Sequence, residues 1–215
     1  MERPKNIIDY YLPHYFLVII FTVGVIGHLF PLFYPLMIAL TPYTLLITGF
    51  VVLFGYRKEL SQSLVIWFFS VFIVTFLLEE AGIKTGLIFG SYYYTPVLGF
   101  SLLSVPLIIG FNWSVIILGS VIIAARLTKS IFLASLISGF ITLAFDILLE
   151  PVAIKLSYWI WENNVVPVQN YIAWFLIAFI ASLIYFLTNK PVQTGLAAFY
   201  LAVQFLFFLV LNLFL

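Results

Sequence analysis

Glu79, Glu80, Asp146 and Glu150 are four of the eight acids in a chain of 215 residues, and all four lie within apolar segments or at their ends. A carboxylate at mid-membrane costs at least ~2.5–3.5 kcal/mol on insertion scales, less near the interface, so each asks for a reason. Asp146 and Glu150 are four residues apart and share one helical face, which Ser135, Ser138 and Thr142 continue as a polar stripe. Such a stripe faces other helices, not lipid. A carboxylic acid held in a low-dielectric cavity keeps its proton at neutral pH, the more so beside a second carboxyl, and so becomes a proton donor. An ionised neighbour orients water. The aromatic residues, 20% of the chain, offer ring faces that stabilise a developing cation. Acid, water-holding base and aromatic walls are the parts needed to protonate an isoprenoid double bond and quench the tertiary cation with water.

Further polar groups collect at the same level of the chain: His28, Asn112 and Asn170, with Tyr92, Tyr93 and Tyr94 nearby. Each of these residues also has an ordinary structural reading. An acid that ends a helix reaches back to water, a histidine or asparagine bonds neighbouring helices, and a tyrosine anchors the membrane interface. Asp146 fits that reading least, because it lies a full turn inside its segment.

The elements that carry these residues are membrane helices. The chain is 65% hydrophobic and 8% charged, with mean hydropathy +1.22, which excludes a water-soluble globule. A net charge of +1 offers no basic field for nucleic acid. With no cysteine, disulfides, thiolate metal sites and a cysteine nucleophile are excluded, and neither a zinc nor an Fe–S metal site is expected. The start, MERPKNIIDYYLPHY, lacks a small-residue cleavage site and is expected to stay on the chain.

Apolar runs long enough to span a bilayer predict an all-α polytopic bundle of about seven transmembrane helices, forming one membrane domain. They fall near residues 14–33, 35–54, 62–80, 104–125, 130–150, 170–188 and 191–214. Placing the N-terminus in the cytoplasm puts Arg3, Lys5, Arg57, Lys58, Arg126, Lys129 and Lys190 inside and only Lys84 and Lys155 outside, seven against two of the nine basic residues. That asymmetry favours a multi-pass plasma-membrane protein with its C-terminus outside. The third and fifth helices then both end at the outer face, so Glu79, Glu80, Asp146 and Glu150 converge there. Both long connections, 81–103 and 151–169, lie on that side. The first is expected to form an interfacial hairpin or re-entrant element, and the second carries Tyr158, Trp159 and Trp161 where an aromatic belt would sit.

Two blocks of sequence carry a resemblance. The first runs from Glu80 through Gly82, Lys84, Gly86, Gly90 and Tyr92-Tyr93-Tyr94 to Leu98-Gly99, Val105-Pro106 and Asn112-Trp113. The second runs from Asp146 and Glu150-Pro151 through Tyr158, Trp159 and Trp161 to Val166-Pro167, Asn170-Tyr171 and Trp174. In this order they resemble the CruF-type carotenoid hydratase family over roughly residues 79–175. The resemblance implies cofactor-independent addition of water to the terminal double bond of an acyclic carotenoid, by a hydro-lyase surrounded by membrane lipid. Carried over by motif position are Glu80, Asp146, Glu150 and Asn170. Where the family often has Asp before the proline, this chain has Glu150, one methylene longer. The expected roles are Asp146 as proton donor, Glu80 or Glu150 as water-orienting base and Asn170 as the group that orients them. Asn112, Trp113, Tyr92, Tyr94, Trp159, Trp161 and His28 are expected to bind or orient substrate.

Other functions stay open at this point. A carotenoid cyclase would protonate the same end group and let an internal alkene capture the cation. A prenyltransferase of the UbiA type would need a second acidic motif and more Lys and Arg for diphosphate than Lys84 and Lys155 supply. A small transporter or proton-coupled membrane protein would need a relay across the membrane, whereas these acids gather at one end.

Overall fold

A computed structural model describes residues 7–190 and 192–215. Its elements in chain order are helices α1 (Ile7–Leu29), α2 (Tyr34–Gly55), α3 (Gln62–Thr85), α4 (Leu107–Leu127), α5 (Ile131–Lys155), α6 (Val168–Thr188) and α7 (Leu196–Phe214). Between them lie four short strands, β1 (Tyr92–Tyr94), β2 (Ser101–Leu102), β3 (Val105–Pro106) and β4 (Trp159–Trp161). All seven helices are long and apolar enough to cross a membrane, so the chain is a multi-pass membrane protein.

The helices lie where the apolar runs predict them, with shifted ends. α3 and α5 run about one turn further than expected, to Thr85 and Lys155, because the chain continues helical past the acids before it meets a stop signal. For α3 that signal is Gly86, whose φ of 67° suits glycine and whose N–H bonds Gly82 O. α1 begins earlier than expected, with Pro13 inside it. The expected start of the last helix at Pro191 lies outside the described residues, as do Arg3 and Lys5. α7 starts at Leu196.

α4 is the central helix: 78% of its apolar window is buried, against 22% for α1 and α2. Gly119 lets the backbone of α7 approach closely, since a Cβ there would meet Ala197 O at 2.5 Å. Small polar side chains tie the helices where lipid offers no partner. Thr142 donates to Ser120 across α5 and α4 (3.0 Å), and Ser182 to Ser138 across α6 and α5 (2.7 Å). Ser135, Ser138 and Thr142 are fully buried, as their stripe requires.

Odd-numbered helices end, and even-numbered ones begin, at the end of the bundle where the acids gather. Arg57, Lys58, Arg126, Lys129 and Lys190 lie at the opposite end, and Lys84 and Lys155 at this one. Here the two long connections do not stay separate. β1 pairs antiparallel with β4 in the register Tyr92 to Trp161, Tyr93 to Ile160 and Tyr94 to Trp159, while β2 pairs with β3. Thr95 N–H to Tyr158 O (3.1 Å) and Glu162 N–H to Ser91 O (2.9 Å) extend the β1–β4 ribbon.

Candidate active site

Side chains alternate across a strand, so the register of β1 with β4 turns Tyr92, Tyr94, Trp159 and Trp161 to one face and Tyr93 and Ile160 to the other. Tyr92, Trp159 and Trp161 are buried and Tyr93 is exposed. The buried face covers the ends of α3 and α5 and closes a cavity of about 20 Å³. Its other walls are Glu79, Trp113, Asp146, Glu150, Asn170 and Trp174. A volume of that size holds about one water molecule.

The polar groups in this cavity are partnered in a definite pattern. Glu150 Oε2 accepts from Trp159 Nε1 at 3.0 Å and from Trp161 Nε1 at 2.8 Å, and Glu150 Oε1 accepts from Asn170 Nδ2 at 3.2 Å. The same amide nitrogen of Asn170 donates to Asp146 Oδ2 at 2.9 Å. Asn170 is therefore a bridge between the two carboxyls, fixed at the start of α6 and 2% exposed. Glu79 accepts from the hydroxyl of Tyr92, and Tyr94 presents a second phenol to it. Burial and the adjacent Glu79 carboxyl push both phenols well above their ordinary pKa, so they stay protonated donors.

The aromatic walls are packed against one another. Trp174 stacks on Trp113 with ring centroids 3.7 Å apart and on Phe89 at 5.4 Å. Tyr92 leans on Trp161 at 4.7 Å. Three carboxyls thus share a small space with four indoles and two phenols, the setting in which a cation finds ring faces and a proton finds a carboxyl. Among the described residues no group of three or more His, Asp or Glu side chains is arranged to hold a metal ion.

Of the residues singled out from the sequence, Asp146, Glu150, Asn170, Trp113, Tyr92, Tyr94, Trp159 and Trp161 come together here. Glu80, Asn112 and His28 do not. Glu80 sits one residue, about 100° of helix, away from Glu79. It bonds the connection instead: its Oε1 pairs with Lys84 Nζ at 2.7 Å and its Oε2 accepts from Ser104 N at 3.0 Å. The third-helix carboxyl that meets Asp146 and Glu150 is Glu79, in place of the expected Glu80. Asn112 Oδ1 accepts from Tyr200 and Gln204 of α7, both at 3.1 Å, and so joins two helices. His28 Nδ1 bonds Gly24 O at 2.7 Å, and its ring lines a separate cavity of about 150 Å³ between α1, α2 and α7.

Sequence signals exist for the two members left out. Thr75 stands one turn before Glu79 and both are buried, a shorter version of the stripe that ends in Asp146. Trp174 stands one turn after Asn170, on the same face of α6.

A family model described as carotenoid biosynthesis protein matches residues 39–215. The chain belongs to that family. All the cavity residues lie within the matched stretch, and His28 lies before it. Membership gives the protein a role in carotenoid biosynthesis, with a carotenoid or related isoprenoid as its substrate. No curated protein and no solved structure matches the chain.

Proposed function

We propose that this member of the carotenoid biosynthesis family is a hydratase, which adds water across the terminal double bond of an acyclic carotenoid end group. The observation that carries the reading is the convergence of Asp146, Glu150 and Glu79 on a space the size of one water, under a roof of indoles and phenols.

Three N–H groups aim at Glu150 and one at Asp146. Hydrogen bonds to a carboxyl favour its ionised form, so Glu150 is suited to hold water and take its proton, and the less encumbered Asp146 is suited to give its proton away. Asp146 transfers its proton to the less substituted carbon of the double bond, and the positive charge develops on the tertiary carbon. The indoles of Trp113 and Trp161, which line the cavity, stabilise that charge. Water held at Glu150 attacks the cation and gives up a proton to that carboxylate. Passing this proton back to Asp146, one helical turn away, resets the site. One C–O bond and one C–H bond form, one C=C π bond is lost, and no electron is exchanged with a cofactor. Glu79, tied to Tyr92, holds the second side of the water. The end group is larger than this cavity, so the cavity widens when it binds.

The test is expression in a host that accumulates lycopene, with mass analysis of the extracted pigment. Hydration adds the mass of one water per reacted end group, whereas an unchanged mass with an altered spectrum is the outcome of a cyclase. Asp146→Asn keeps the shape and hydrogen bonds of the side chain and removes the proton donor, so product disappears while the protein still inserts. Undiminished product from Asp146→Asn refutes the assigned roles.

A further inference from the structure

A conjugated polyene is stiff and extended, so it cannot fold into a compact pocket as a flexible isoprenoid can. An enzyme that acts on its end group needs a straight trough leading away from the reacting atoms. Among the described residues, two apolar grooves run along α3. One, about 380 Å³, runs between α3 and α6, from Ser63 to Leu78 on the first helix and from Ile177 to Thr188 on the second. At 1.5 Å per residue the α3 wall is about 22 Å long, most of the thickness of a bilayer's hydrocarbon core.

On both helices this groove reaches to within one turn of the acid cavity. Thr75 lines the groove and Glu79, one turn on along the same face, lines the cavity. On α6, Ile177 lines the groove and Trp174, three residues before it on that face, lines the cavity. Two helices therefore carry groove-lining and cavity-lining residues one turn apart, Thr75 with Glu79 and Ile177 with Trp174. The wall itself is apolar. Thr75 donates its hydroxyl to Val71 O at 2.8 Å, and Trp67 Nε1 donates to Ala181 O at 2.8 Å, so their polar atoms are satisfied within the protein.

The second groove, about 800 Å³, is larger but leads elsewhere. It lies between α2, α3 and α4 among Phe50, Phe68 and Phe111, and on α3 it ends at Phe72, about 10 Å of helix rise short of Glu79. Size favours this groove, and nearness to the acids favours the other. Nearness decides, because a polyene bound in a groove that stops about two turns short of Glu79 holds its end group away from the proton donor.

We infer that the α3–α6 groove binds the polyene chain of the carotenoid and delivers its end group to Asp146 and Glu150. The inference rests on the reading that the acid cavity acts on such an end group. The groove then sets chain-length preference: long acyclic substrates gain binding along α3 and α6 that short ones lack.

Photolabelling with a diazirine-tagged acyclic polyene, on the full chain in lipid nanodiscs, tests binding without turnover. Label on the α3 and α6 peptides around Ser70, Val74 and Ile180 supports the inference. Label in the groove around Phe50, Phe68 and Phe111, or spread evenly over all lipid-facing helices as a bulk lipid would spread, overturns it. The pattern persists in Asp146→Asn, so failure of the proposed chemistry and failure of the groove are told apart.

Filling the groove provides the second measurement. Ser70→Trp with Ile180→Trp lowers kcat/KM for lycopene at least tenfold and leaves unchanged the turnover of a monoterpene hydrocarbon with the same end group. Phe50→Trp, in the other groove, leaves both unchanged. Equal loss for long and short substrates, or no loss for either, overturns the assignment.

Discussion

Glu79 and Glu80 are adjacent and chemically identical, so replacing each in turn by Gln isolates what position alone decides. Glu80→Gln removes the ion pair with Lys84, whose side chain is 61% exposed and four residues away. Pairs of that kind contribute about 0.3–0.5 kcal/mol. The amide oxygen of Gln still accepts from Ser104 N, so the bond from α3 to the β2–β3 connection is retained. A change of about 0.5 kcal/mol corresponds to roughly a factor of two in an equilibrium, so activity stays within about two- to threefold of the parent. Glu79→Gln keeps an oxygen for the Tyr92 hydroxyl but removes the carboxylate that holds the second side of the water. A hydrogen bond to a charged group contributes about 1.5–3 kcal/mol, so a loss of roughly tenfold to a hundredfold is expected. The assay is hydrated pigment formed per unit of membrane-inserted protein, both variants being quantified through the same C-terminal tag. A loss in Glu80→Gln as deep as that in Glu79→Gln, or more than a tenth of parental activity in Glu79→Gln, refutes the reasoning.

The remaining predictions follow from the same geometry. Asn170→Asp replaces the amide that bridges Asp146 and Glu150 by a further acid; losing two hydrogen bonds to carboxyls at about 1.5 kcal/mol each gives on the order of a hundredfold loss of turnover, checked by single-turnover conversion, with Asn170→Ala less damaging because it adds no charge. Trp161→Phe keeps the ring and removes the shorter of the two indole bonds to Glu150, so turnover falls about tenfold while membrane abundance holds; a loss no greater than that of a substitution at exposed Tyr93 tells against a role for the bond. Because the chain has no cysteine, single cysteines introduced at Lys58 and at Asn164 report topology directly: an impermeant maleimide added to intact cells labels the second and spares the first, and the reverse pattern overturns the cytoplasmic N-terminus.

Much of the fold was legible because lipid imposes simple demands. A span needs about 20 apolar residues and internally satisfied backbone groups, so seven helices and the gathering of polar residues at one end followed from composition and spacing. α5 also disclosed its phase: Ser135, Ser138, Thr142, Asp146 and Glu150 mark one face in an otherwise apolar helix, and all five are buried. α3 did not, since it is apolar nearly all round and carries two adjacent acids at its end. With lipid as solvent, hydrophobicity no longer separates inside from outside, and only Thr75 marked the face that Glu79 continues.

What tertiary structure alone decided is how segments distant along the chain meet. The β1–β4 ribbon joins residues 92–94 to residues 159–161, and each strand is too short to announce itself by alternation or to be stable alone. Their pairing sets which of three consecutive tyrosines faces the carboxyls. The approach of Asn170 to both Asp146 and Glu150, and the departure of Glu80 towards Lys84 and Ser104, depend on the packing of α6 against α5 and on the path of a connection that no local rule fixes. Transfer free energies act residue by residue, so composition and spacing were enough to read a membrane bundle with acids at one end. Which acid joins the site was left to packing, because a step of one residue on a helix turns a side chain by about 100°.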